Sequence, residues 1–178
     1  MQAGLVREVP NMMIQKLYHV AYRCNDAQET IDFYTKVLGL KFAMAVSQER
    51  VPSTQEELPY IHIFLEMADG SSVAFFELPQ AAQAIPDTNT PPWVQHLALE
   101  VASREHLLAM KATLEQHGVE YIGIVDHGTI HSLYFFDPNG HRLEVMYRVD
   151  EGVRAERARK SQQVLDQWNA KWHPEHVR

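Results

Sequence analysis

The stretch Val125–Glu144, VDHGTIHSLYFFDPNGHRLE, decides how this chain is read. Leu133–Phe136 is apolar and aromatic, the composition of a buried strand. Asp137-Pro138-Asn139-Gly140 follows as a turn, because proline presets φ and glycine or asparagine accepts a positive one. The chain then returns as a strand, His141–Tyr147, carrying a carboxylate, Glu144, between Leu143 and Val145. A charge buried without a partner is costly. A metal ion is one such partner, and histidines elsewhere can complete its shell.

Working outward, the same order of elements occurs twice. Lys16–Cys24 alternates as a strand. Ala27–Leu38 has Ile31, Tyr34, Val37 and Leu38 at helical spacing, with Asn25 or Asp26 as cap and Gly39 as stop. Strands are expected at Lys41–Val46, Ile61–Met67 and Ser72–Leu78, the last two joined at Asp69-Gly70. Residues 79–93 hold Pro79, Pro86, Pro91 and Pro92 and read as a linker. Then come a strand at Val94–Val101, a helix at Ser103–His117 stopped by Gly118, and strands near Val119–Val125, Ile130–Phe136 and His141–Tyr147. The pattern is βαβββ, linker, βαβββ, and an internal repeat defines which residues are equivalent.

The expected fold class is therefore α+β, built from two βαβββ modules. Residues 1–14 form an N-terminal arm, and residues 15–148 form the domain, with modules at 15–78 and 94–148. A polar helical tail spans 149–178, where Val164, Trp168 and Trp172 make one apolar stripe. That stripe packs on the parent domain or on a second copy, giving a homodimer.

Strand side chains alternate between faces. His96, Ala98 and Glu100 share one face, and Arg142, Glu144 and Met146 share the polar face of the last strand. His19, Ala21 and Arg23 belong together in the first strand, and Val73, Phe75 and Glu77 in the fourth. Each module thus offers a histidine early in its first strand and a glutamate on its fourth: His19 and Glu77, then His96 and Glu144. Brought together about a pseudo-twofold axis, they suit Fe(II), Mn, Ni, Co or Zn. Two histidines and one carboxylate make the facial triad of non-haem Fe(II) oxygenases, so Fe(II) is favoured. His62, His106, His117 and His141 read as surface residues.

Composition sets outer bounds. The chain has 178 residues, of which 46% are apolar, enough for one domain with a core or two small modules sharing one. No run approaches the ~18 apolar residues of a membrane span. The start, MQAGLVREVPNMM, lacks a signal-peptide pattern. Cys24 is the sole cysteine, so a disulfide within the chain is excluded and a reducing cytoplasm is expected. A formal charge of −7 argues against broad nucleic-acid binding, and ten histidines raise the expectation of metal chemistry.

With these residues in place, the chain resembles the vicinal oxygen chelate superfamily, which includes glyoxalase I, extradiol dioxygenases and the fosfomycin or bleomycin resistance proteins. The segments that carry the resemblance are HVAYRCNDAQETIDFYTKVLGL, WVQHLALEV and LYFFDPNGHRLEVMY. It implies paired βαβββ modules forming a cupped mixed sheet around a metal site, the divalent ion held by His19, His96 and Glu144, with Glu77 as the extra carboxylate of glyoxalase I. Val125, His127, Leu133, Tyr134, Asp137-Pro138, Gly140 and Glu144 resemble the extradiol signature. By that match His127 lies near substrate and dioxygen, and Tyr134 hydrogen-bonds a bound catecholate. The acid–base histidine usual on the fourth strand of extradiol enzymes is missing, with Ser71 and Ser72 nearby instead.

The resemblance implies an enzyme acting on a small molecule, foremost an extradiol-type ring-cleaving dioxygenase with a catecholic substrate. The alternative is a glyoxalase-type lyase or isomerase, in which Glu144 or Glu77 moves a proton to and from an enediolate. A second alternative is a non-catalytic binding protein for an antibiotic-like ligand.

Overall fold

The computed structural model describes residues 13–84 and 87–176; all but the last two residues of the expected N-terminal arm lie outside them. The elements are β1 (His19–Cys24), α1 (Ala27–Lys36), β2 (Lys41–Gln48), β3 (Tyr60–Glu66) and β4 (Ser72–Glu77). They continue as β5 (Leu97–Glu100), α2 (Arg104–Gln116), β6 (Tyr121–Asp126), β7 (Ile130–Phe136), β8 (Arg142–Arg148) and α3 (Glu151–Trp172). The chain divides into two compact units, Met1–Ala84 and Ile85–Arg178, and the division falls inside the proline-rich stretch 79–93.

Both units are mixed four-stranded sheets of one topology. The orders are β1-β4-β3-β2 and β5-β8-β7-β6, with the first pair in each parallel and the others antiparallel. The parallel pair requires a crossover, and the helix provides it.

Local chemistry explains where the helices begin and end. Asp26 Oδ1 accepts the Glu29 N–H at 2.8 Å and caps α1. Ser103 caps α2 through the His106 N–H, and Gly118, at φ +67°, lets the chain leave that helix. The β7–β8 turn is fixed by Asp137, whose Oδ1 accepts from the Asn139 and His141 N–H groups at 2.9 and 2.8 Å.

One face of each sheet packs on its helix. In the first unit Ile63, Leu65, Val73 and Phe75 are buried with Tyr34 of α1, whose ring lies 5.0 Å from that of Phe75. In the second, Leu133, Phe135, Leu143 and Val145 are buried with Leu107 and Leu114 of α2. Each such side chain contributes roughly 1.5–3 kcal/mol by leaving water. This layer leaves the other sheet face for chemistry.

The tail is a helix as expected, capped by Asp150, and none of its residues is buried. Val164, Trp168 and Trp172 are 62, 58 and 55% exposed, so among the described residues the stripe does not pack on the parent domain. What ties α3 down is polar: Arg157 Nη1 donates to the His127 carbonyl at 2.9 Å.

Candidate metal centre

The register of the second unit brings its site residues together. Ala98 pairs with Glu144 across the parallel β5–β8 ladder, and Tyr134 pairs with Glu144 across β7–β8. Side chains of paired residues point to one side of a sheet. Ser132 precedes Tyr134 by two residues and shares that side, opposite the α2-packed face.

Glu144 is buried, with its side chain 5% exposed, and its two oxygens have different neighbours. Oε1 accepts hydrogen bonds from Ser132 Oγ and from Tyr134 Oη, the latter at 2.9 Å. Oε2 lies 3.0 Å from His96 Nε2. Two hydroxyl donors on one oxygen aim the other oxygen at the imidazole.

The tautomer of His96 gives this pair its meaning. Its Nδ1 lies 3.1 Å from the Val94 carbonyl, which can only accept, so Nδ1 carries the proton. Nε2 then turns a lone pair toward a carboxylate oxygen, an arrangement that requires a cation between them, either a second proton or a metal ion. Two donors each about 2.1 Å from one ion stand about 3.0 Å apart at a right angle. The observed spacing is that of neighbouring ligands in an octahedral shell, and equally that of an N–H···O hydrogen bond. Metal-bound histidines characteristically donate their other N–H to a carbonyl, as His96 does to Val94. The donor set fits a divalent ion.

Tyr134 extends the network. His127 Nε2 lies 2.9 Å from Tyr134 Oη. Tyr134 gives its single proton to Glu144, so His127 Nε2 must be the donor to Tyr134. The line runs from exposed His127 through half-buried Tyr134 to buried Glu144. Burial, and next the hydrogen bond to Glu144, hold the Tyr134 phenol above its ordinary pKa, so it stays protonated. The Arg142 guanidinium covers the Tyr134 ring at 4.5 Å.

The first unit is described by itself. His19, on β1, has a buried Nδ1 with no hydrogen-bond partner, a nitrogen left available for a ligand. The structure does not bring Glu77 to it. His19 pairs with Ser72, Ala21 with Ala74 and Cys24 with Glu77, so the residues on the face of His19 are Ser72, Ala74 and Phe76. The expected grouping of Val73, Phe75 and Glu77 with His19 is corrected by this register: they lie on the α1 side. There Glu77 Oε2 accepts the Ala27 N–H at 2.7 Å and satisfies a free donor at the start of α1.

Ser132 and His62 join these faces without a motif in the sequence that places them there. Ser132 is fully buried against Glu144; its position two residues before Tyr134 was the available signal. His62, expected at the surface, stacks on Phe76 with ring centroids 3.7 Å apart and sits 5.8 Å from the His19 ring. Burial, then the nearby His19, lowers its pKa. Its ring neighbours arrive across the sheet, which no local pattern announces.

Known proteins resemble this chain in sequence and fold. The chain is 33% identical over 144 residues to MhqA of Bacillus subtilis (strain 168), inferred to be a ring-cleaving dioxygenase; the match covers 79% of this chain but only 42% of that protein. It is 27% identical over 140 residues to the lactoylglutathione lyase of Escherichia coli O157:H7, covering 77% of this chain and 96% of the lyase. Two solved structures show the same fold. A glyoxylase/bleomycin resistance protein/dioxygenase domain from Frankia sp. EAN1pec has a TM-score of 0.64 at 19% identity, over 76% of this chain and 99% of that one. The fosfomycin resistance protein FosX of Listeria monocytogenes, solved with Mn(II) and sulfate, has a TM-score of 0.58 at 18% identity, over 80% and 99%. The profile of the Glyoxalase/Bleomycin resistance protein/Dioxygenase superfamily matches residues 16–145, and with paired βαβββ units of this topology the chain belongs to that superfamily, the vicinal oxygen chelate proteins.

Proposed function

We propose that this chain is a metal-dependent ring-cleaving dioxygenase of the extradiol type, acting on a catecholic substrate. The observation that carries the proposal is the hydrogen-bonded line from His127 through Tyr134 to Glu144. His96 and Glu144, with His19 as the ligand that sequence resemblance assigns, supply two imidazoles and one carboxylate, the donor set of non-haem Fe(II) oxygenases. When bound, such an ion orients the vicinal oxygens of the substrate and dioxygen and offsets developing negative charge.

The chain's own groups handle protons. Tyr134 Oη is the donor that links Glu144 to a second titratable group, and a proton it gives up must be replaced for the next turnover. His127 Nε2 is placed to do so at 2.9 Å, and His127 is exposed, so it exchanges with solvent. The pair acts as a general acid, with Tyr134 delivering at its oxygen and His127 resupplying through Nε2. Ser132 keeps Glu144 Oε1 occupied, so that Tyr134 can release its bond without freeing the carboxylate.

A second reading, lyase or isomerase chemistry of the glyoxalase type, draws on the match to nearly the whole length of a lactoylglutathione lyase. It calls for four protein ligands, and the fourth, Glu77, is engaged at the start of α1. Sequestration of an antibiotic-like ligand without turnover leaves the His96–Glu144 pair unused. The proposal includes a cytoplasmic setting and a homodimer, the latter tested by sedimentation of the purified chain.

The deciding experiment is anaerobic reconstitution with Fe(II), addition of a catechol panel, and measurement of oxygen uptake. Uptake is expected, and Tyr134→Phe should lower turnover by roughly 10²–10⁴-fold while retaining metal. No uptake with any catechol, together with Ni(II)- or Zn(II)-dependent turnover of a 2-oxoaldehyde thiol adduct, would reverse the order of the two readings.

A further inference from the structure

We propose that His173, Glu175 and His176 form a second divalent-metal site at the C-terminal end of α3, separate from the centre on the second unit. One ligand atom from each of the three lies within 4.8 Å of the others. Glu175 Oε1 is 3.4 Å from His173 Nδ1 and 3.7 Å from His176 Nε2. Ligand atoms about 2.1 Å from one ion at the tetrahedral angle stand about 3.4 Å apart, close to both histidine–glutamate spacings.

The backbone pre-forms the cluster. The His173 N–H bonds the Asn169 carbonyl at 2.8 Å, carrying the helix to its last turn. The His176 N–H bonds the His173 carbonyl at 2.9 Å, closing the 3₁₀ turn Pro174–His176. Side chains three apart in such a turn eclipse one another. The rings of His173 and His176 accordingly stand 5.8 Å apart at 41°. Pro174, with its fixed φ, stiffens the turn at its first residue.

Electrostatics favour a cation here. Glu175 contributes a charge, and the C-terminal end of a helix carries partial negative charge from its free carbonyls. Two imidazoles, one carboxylate and an open position for water suit Zn(II), with Ni(II) and Cu(II) compatible. All three side chains are at least half exposed, so the site is accessible and binds more weakly than a buried one. It lies about 24 Å along the helix from Arg157, the residue that ties α3 to the His127 carbonyl. The two centres are therefore separable, and metal counts on the intact protein would exceed one.

The test is calorimetric titration of the metal-free full chain with Zn(II) alone, alongside zinc counting after equilibrium dialysis. His173→Asn/His176→Asn should lose one equivalent, the weaker where two are resolved, with an unchanged thermal unfolding curve. Glu175→Gln should weaken that same equivalent. His96→Ala should retain the tail equivalent, which separates failure at the tail from failure of the catalytic reading. If the double variant binds as many equivalents as the parent, or the parent binds none, the tail site is overturned.

Discussion

The two βαβββ units share a topology but not a chemistry. Matched through their parallel ladders, Ala98–Glu144 of the second corresponds to Ala21–Ala74 of the first. Tyr134 then corresponds to Phe64, Ser132 to His62 and Met146 to Phe76. The second unit surrounds a buried carboxylate with hydroxyl donors. The first fills the same positions with a methyl group and rings. A repeat thus duplicates the scaffold, while the site depends on what each copy places at the paired positions.

The largest expected effect breaks the second unit's side of this comparison. Glu144→Ala should strip the metal almost entirely. It should also cost about 1–3 kcal/mol of stability, because the Ser132 hydroxyl is left buried without its acceptor. Glu144→Gln keeps an oxygen for Ser132, so it should lose metal with a smaller loss of stability. Metal content by elemental analysis and urea unfolding of the metal-free proteins separate the two effects. Equal unfolding midpoints for Ala and Gln would show that the hydroxyls do not depend on this acceptor.

The converse substitution probes the first unit. Ala74 is fully buried and pairs with Phe64, where Glu144 pairs with Tyr134. A glutamate there finds no hydroxyl opposite, and Ala74→Glu should destabilise the chain by roughly 3–5 kcal/mol. Urea titration followed by circular dichroism measures it. A tolerated glutamate would mean that the hydroxyls of the second unit are not needed to bury an acid.

Ser132→Ala is the subtler test. Groups that orient a ligand change metal affinity by about 10–100-fold when removed. The serine is expected within that range, with Tyr134 still holding Oε1. Unchanged affinity in a competitive chelator titration would reduce Ser132 to packing.

The second unit was readable because its strands alternate cleanly. Leu143, Val145 and Tyr147 mark one face, so Glu144 had to lie on the other; register delivers Tyr134 to it, and His96, just before β5, reaches it from the neighbouring strand. Helix ends were legible too, since Asp26, Ser103 and Gly118 have conformational roles that travel with the residue. β4 was not. Val73, Ala74, Phe75 and Phe76 are apolar without interruption, and a run with no alternation does not reveal its faces. Register decides them, and register comes from β1 and β3. The α3 stripe was visible as a spacing, but spacing does not say what covers it.

Glu77 offers the smallest effect and the sharpest separation. As a fourth ligand, its loss would lower metal content. In the structure its carboxylate lies on the α1 side and accepts the Ala27 N–H, beside a helix start already capped by Asp26. Removing a side-chain acceptor from a helix N-terminus costs about 0.5–2 kcal/mol. Glu77→Ala should therefore lower the unfolding midpoint by that amount and leave metal content and oxygen uptake unchanged. Glu77→Gln, which keeps an acceptor oxygen, should recover most of the stability. If metal content falls in both variants while stability holds, Glu77 is a ligand after all. The first unit would then supply a carboxylate from the strand position that Tyr147 occupies in the second.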